Sequence, residues 1–96
     1  MFKAGFLYQN ITIRRYGVEP WIVAKGEIKN NSRKDYHSAV FRISVFDKDR
    51  VLWSGDIKIK NFKRWHTRFF EQILIGLSPK ILRRISRHEI YFDSGY

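Results

Sequence analysis

Apolar side chains recur at every second residue in three separate segments, and this period of two restricts the chain to half-buried β-strands. Ile22, Ala24, Gly26 and Ile28 form one such set, and Ala39, Phe41, Ile43 and Val45 another. In the third, Val51, Trp53, Gly55, Ile57 and Ile59 share one parity while Leu52, Ser54, Asp56, Lys58 and Lys60 share the other. Turn residues bound them: Glu19-Pro20 and Asn30-Asn31-Ser32 flank the first set, and Asp47-Lys48-Asp49-Arg50 joins the second to the third. The pattern predicts an antiparallel hairpin from about residue 38 to 60. Residues 6–16, with Phe6, Tyr8, Ile11 and Ile13, and the runs Arg64 to Leu74 and Glu89 to Asp93 add further β-rich stretches. Six strands follow, or seven if residues 6–9 stand apart. Trp53, Ile57, Ile28, Ile43 and Phe41 are expected to be buried together.

One segment departs from this period. Ser78-Pro79 combines an N-cap with proline at the first helical position, and Ile81, Leu82 and Ile85 fall on one side of a 3.6-residue repeat. Lys80, Arg83, Arg84 and Arg87 stand at i, i+3, i+4 and i+7 on the other side. The expectation is a helix over residues 79–85 with Ile81 and Ile85 inward and a basic outer stripe. Many short strands with one helical insertion before the last point to a small β-sandwich.

A length of 96 residues suits one hydrophobic core, so residues 1–96 read as a single domain. A 44% hydrophobic content is enough to fill it and argues against a disordered basic tail. The absence of cysteine excludes disulfide staples, thiolate zinc sites and thiol nucleophiles. Residues 1–6 lack the basic flank and unbroken apolar run of a secretory signal, and no apolar run nears the ~18 residues that would span a bilayer. The expectation is a cytoplasmic protein without a transmembrane segment, an envelope role staying open.

The segment Gly26-Glu27-Ile28-Lys29-Asn30-Asn31-Ser32 resembles the G-x-[IV]-x-N-x-S stretch that closes an early strand in FxLYD-type domains, and Ile43-Ser44-Val45-Phe46-Asp47 corresponds to the motif that names them. Ile43 replaces the Phe of that motif, Val45 its Leu and Phe46 its Tyr, and Asp47 matches. Both segments come in the expected order and precede the aromatic pair Phe69-Phe70, so the resemblance spans about residues 20–75. It implies a small antiparallel immunoglobulin-like β-sandwich of all-β class and no catalytic residues. The basic 80–87 segment and the missing signal sequence depart from the family's usual envelope setting.

Catalytic constellations are not apparent. His37, His66 and His88 have no metal-ligand spacing, Asp47 and Asp49 suit a turn, and Ser78 precedes a helix rather than sitting in G-x-S-x-G. There is no glycine-rich phosphate loop. Ala39 to Phe46 has aromatics but neither the glycine nor the basic opening of the RNA-binding strand motif, and Phe41 has core parity. An oligonucleotide-binding barrel would carry its helix between the third and fourth strands. The reading is a protein that is not an enzyme and needs no cofactor.

Charge is the most suggestive remaining feature. Nineteen Lys and Arg against nine Asp and Glu give a net charge of +10, spread over both halves of the chain. Between residues 58 and 87 stand nine basic residues, Lys58, Lys60, Lys63, Arg64, Arg68, Lys80, Arg83, Arg84 and Arg87, and a single acid, Glu71. If the runs on either side of Asn61-Phe62-Lys63 pair, Lys58, Lys60, Arg64, His66 and Arg68 share a face; Trp65, of opposite parity, then belongs to the core. The first functional reading is an interaction module whose sheet face or edge docks a protein partner or another copy. The alternative is sequence-indifferent binding of DNA or RNA through these nine residues.

Overall fold

The computed structural model describes residues 5–18 and 21–96. The expected Glu19-Pro20 turn lies outside the described residues. Among the described residues six strands form, β1 (Phe6–Arg15), β2 (Ile22–Asn30), β3 (Tyr36–Asp47), β4 (Arg50–Phe62), β5 (Thr67–Ile73) and β6 (Arg87–Gly95), with a 3-10 helix over Pro79–Arg84 before the last. They build two three-stranded antiparallel sheets, ordered β1-β2-β5 and β4-β3-β6. The expected all-β sandwich of six strands with one short helical segment is therefore the fold. The inner faces meet in one core that includes Phe6, Ile22, Ala24, Ile28, Phe41, Ile43, Phe62 and Phe70. Aromatic edges tie the layers: the Phe6 ring meets Phe41 at 4.9 Å and stacks on Phe92 at 5.0 Å.

The β3–β4 hairpin pairs from Tyr36 with Phe62 to Asp47 with Arg50, matching and slightly exceeding the expected 38–60 span. Lys48, at φ 57°, turns the chain. The parity of its second strand does not run through to the turn. Val45 pairs with Trp53 and Phe46 with Val51, so Leu52 is an extra residue and the alternation slips there. Val51, expected in the core, is consequently 54% exposed, whereas Ile57 and Ile59 are buried as expected. Trp53 is half-buried against the core rather than within it. Its ring lies over Gly55, where an added Cβ would come within 2.2 Å of Cη2, and its indole N–H donates to the Ile75 carbonyl at 3.0 Å.

A second bulge makes β1 one strand. Tyr8 and Ile13 are an odd number of residues apart, so a regular strand would send them to opposite faces. Asn10 and Ile11 instead oppose Gly26 alone, with Asn10 at φ 54° and its amide donating to Glu27 at 3.0 Å. Tyr8, Ile11 and Ile13 all pack against the core as a result. The room comes from Gly26, because a Cβ there would stand 2.4 Å from Ile11 Cδ1 and 2.9 Å from Phe70 Cε2.

At the end of β2, Asn30 is fully buried and its side chain is saturated. Nδ2 donates to the Lys34 and Phe62 carbonyls at 3.0 Å each, while Oδ1 accepts from the Ser32 backbone at 3.0 Å and from the Ser32 hydroxyl. Its backbone N–H donates to the His66 carbonyl at 2.9 Å, and its carbonyl accepts from Trp65 at 2.7 Å. One buried asparagine thus fastens both inter-sheet connections at this end, the 31–35 loop through its side chain and the 63–66 turn through its backbone.

The helical segment follows the capping signal but not the α-helical period. Ser78 Oγ accepts from the Lys80 N–H at 3.3 Å, and the Ile81 and Ile85 N–H groups bond three residues back. Six residues fit the tighter 3-10 winding, which is used in short pieces. Ile81, Leu82 and Ile85 pack against the core as expected. With three residues per turn, and with Arg87 already in β6, the four basic residues cannot form one stripe.

Candidate interaction surface

Among the described residues no three His, Cys, Asp or Glu side chains gather into a metal-binding group. Among the described residues Tyr8 is the titratable group whose environment alters it clearly. Burial pushes its phenol up to about 12, opposed by the backbone of Phe92. It lies on the inner side of β1, in a shallow cavity of about 280 Å³ with Ile11, His88, Glu89 and Ile90. His88 and Glu89 line the same cavity, but neither hydrogen-bonds the phenol, and burial sets the shift, so it records packing.

The nine basic residues singled out in the sequence do not converge. Lys58 and Lys60 project from the outward row of β4, opposite Val40 and Ser38. The expected pairing of the runs flanking Asn61-Phe62-Lys63 does not occur, because β4 and β5 belong to different sheets. Arg68 reaches back across that gap, its guanidinium donating to the Lys60 carbonyl at 2.9 Å. Lys63 and Arg64 lie in the exposed turn. Lys80 and Arg83 flank a cavity of about 400 Å³ with Arg15, Pro79 and Leu82. Arg84 pairs with Asp47 at 3.1 Å, while Arg87 pairs with Glu89 and stacks over Phe46 at 3.9 Å. These last two brace the β3–β4 turn, so the proposed stripe divides into structural and free cations.

The sheet edges differ in a way the sequence did not announce. Each three-stranded sheet leaves two edge strands, and three of the four carry an extra residue: Asn10-Ile11 on β1, Leu52 on β4 and Asp93 on β6. Bulges of this kind blunt an edge against further pairing. β5 alone pairs without a register shift, from Lys29 with Thr67 to Val23 with Ile73. Its outward row exposes Phe69 (71%) and Ile73 (40%), and Ile75 just beyond it is 75% exposed. Ile73 and Ile75 also line a mainly apolar cavity of about 370 Å³ with Trp21, Gly76, Leu77 and Ser78.

Trp65 corrects a further expectation. It is 56% exposed rather than part of the core. The turn closes through the His66 N–H to the Lys63 carbonyl at 3.1 Å, with Trp65 at φ 72°, and the left-handed residue breaks the alternation before β5 begins. Arg64 lies over its ring at 4.6 Å. Among the described residues no helix is long and apolar enough to cross a membrane. Comparison of the chain with protein-family models, with curated proteins and with solved structures finds no match.

Proposed function

We propose that the protein is a non-enzymatic interaction module, an immunoglobulin-like sandwich of FxLYD type, that docks an extended segment of an acidic protein partner along β5. The observation that carries this reading is the unbulged, apolar edge of β5 beside three bulged ones. A partner strand placed there gains backbone hydrogen bonds, and its alternate side chains meet Phe69 and Ile73. Ile75 and the cavity beside Trp21 extend the apolar contact beyond the last paired residue. Charge selects the occupant: at +10, a second copy meets repulsion that an acidic segment does not. The family resemblance is supported by the roles of its residues, since Gly26 admits Ile11 and Phe70, Ile28 is buried, and Asn30 and Ser32 hold the connection to β3.

Selection of a random displayed peptide library on the immobilised protein tests the reading. Enriched peptides are expected to alternate apolar residues with Asp or Glu, to shift β5 amide resonances, and to lose binding to Phe69→Lys and Ile75→Lys. Those substitutions are at exposed sites and leave the fold intact. Enrichment of sequences with helical or proline-rich patterns, or binding indifferent to both substitutions, refutes docking on β5.

A further inference from the structure

We propose that the end of the sandwich built from the 31–35 loop and the 63–66 turn binds single-stranded nucleic acid, with a base stacked on the face of Trp65 opposite Arg64 and phosphates held by Lys29, Arg33 and Lys63. The site is separate from the β5 apolar row and does not depend on the docking reading.

Trp65 is the starting point. A bulky residue at φ 72° occupies a region where only glycine is free of steric cost. Glycine would close the Lys63–His66 turn with less strain, and a ring more than half exposed repays little of that strain through burial. Strain that the fold does not require is a mark of residues kept for what they contact.

The ring is also presented on a rigid frame. The Trp65 N–H donates to the Asn30 carbonyl at 2.7 Å, and the Arg64 N–H donates to Asp35 Oδ1 at 2.7 Å. The Asn30 side chain grips Lys34 and Phe62 on either side. Loop and turn are therefore positioned together before any ligand arrives, which lowers the ordering cost of binding.

Charge complementarity identifies the ligand. Lys29, Arg33, Lys34, Lys63 and Arg64 all belong to these two connections or to the strand end between them. None joins the four ion pairs among the described residues, which use Lys25, Arg42, Arg84 and Arg87. Asp35, the acid at this end, is engaged by the Arg64 backbone. Lys34 stacks on Tyr36 at 4.8 Å and Arg64 lies over one face of Trp65 at 4.6 Å, which leaves Lys29, Arg33 and Lys63 as the phosphate ligands and the other face of Trp65 for the base. Cations around an exposed aromatic are the elements of single-strand recognition, in which bases stack and phosphates are neutralised. A duplex keeps its base faces within its own stack, so Trp65 favours the unpaired strand.

Fluorescence anisotropy with a labelled dodecathymidylate, its RNA equivalent and a duplex of the same length tests the proposal. Both single strands are expected to bind more tightly than the duplex. Log affinity should fall with log salt at about −2 if three phosphates are neutralised. Trp65→Gly is expected to weaken binding roughly ten- to hundredfold without lowering the melting temperature, because stacking is lost while backbone strain is relieved. Trp65→Asn, which also tolerates a left-handed backbone, provides a second folded variant. Arg33→Glu with Lys63→Glu should weaken both single strands and flatten the salt slope. Equal affinity for duplex and single strand, wild-type affinity in both Trp65 variants, or no binding at low salt each overturns the proposal. Binding of an acidic peptide on β5 should be unaffected by Trp65→Gly, which separates failure of one site from failure of the other.

Discussion

Replacing Asn30 by Ala removes the side chain that ties the 31–35 loop to the end of β4, and the loss can be worked from its bonds. Nδ2 donates two hydrogen bonds at 3.0 Å, one to the buried Phe62 carbonyl and one to the Lys34 carbonyl, and Oδ1 accepts two from Ser32. The Ser32 groups can turn to water, but the Phe62 carbonyl cannot, so the net cost is about 2–4 kcal/mol. For a 96-residue domain whose whole stability is about 5–14 kcal/mol, that is a large fraction. It corresponds to a drop of roughly 10–25 °C in Tm by calorimetry. Asn30→Asp sharpens the test, because it keeps the acceptor for Ser32 but aims an oxygen at two carbonyls. Burial beside those carbonyls raises the folded-state pKa of the introduced carboxyl above its unfolded value of about 3.9. The folded variant then holds a proton that the unfolded chain has released, so its stability falls as pH rises through that window and recovers toward pH 4. A Tm for Asn30→Ala within about 4 °C of wild type would mean that the connections hold without this amide, and would refute the reasoning.

Gly26→Ala is expected to cost about 1–3 kcal/mol through the clash of its Cβ with Ile11 Cδ1 and Phe70, measured by urea denaturation. Adding Ile11→Val removes the nearer of those atoms and should restore much of the loss. With its folded pKa raised to about 12 against an ordinary 10, Tyr8 contributes stability that is complete below pH 10 and is lost as pH rises from 10 toward 12. Alkaline unfolding should therefore begin later in Tyr8→Phe than in wild type, and identical alkaline transitions would show that Tyr8 ionises freely.

Where local chemistry and periodicity agreed, the fold was legible in the sequence. The 38–60 hairpin, the alternating rows of β2 and β3, and the Ser78-Pro79 start of the helical segment each stand as their residues indicated. Errors appear wherever an extra or left-handed residue resets the alternation. Leu52 turns Val51 outward, and the Asn10-Ile11 bulge keeps a strand of mixed parity in one piece. Asparagine tolerates left-handed backbone, so Asn10 and Asn61, at φ 54° each, carried a signal that could have been used. Phe62, buried immediately after Asn61, follows from such a reset.

The surfaces were harder to read because their properties depend on partners distant in sequence. Nothing local distinguishes Arg84, tied to Asp47, Arg68, tied to the Lys60 carbonyl, or Arg64, laid over Trp65, from Lys63, which stays exposed in the turn. The unbroken edge of β5 is defined only by contrast with bulges on three other strands. Trp65 is the hardest case, since tryptophan has no preference for φ 72° and alternation assigned it to the core. The same conflict between a residue's local preference and its position makes it informative once the structure is known. Asn10 and Asn61 suit their backbone, and their conformations are explained by the fold; Trp65 does not suit its backbone, and a ring that stays 56% exposed with Arg64 over it returns little for that strain, which is the ground for proposing a contact from outside the chain.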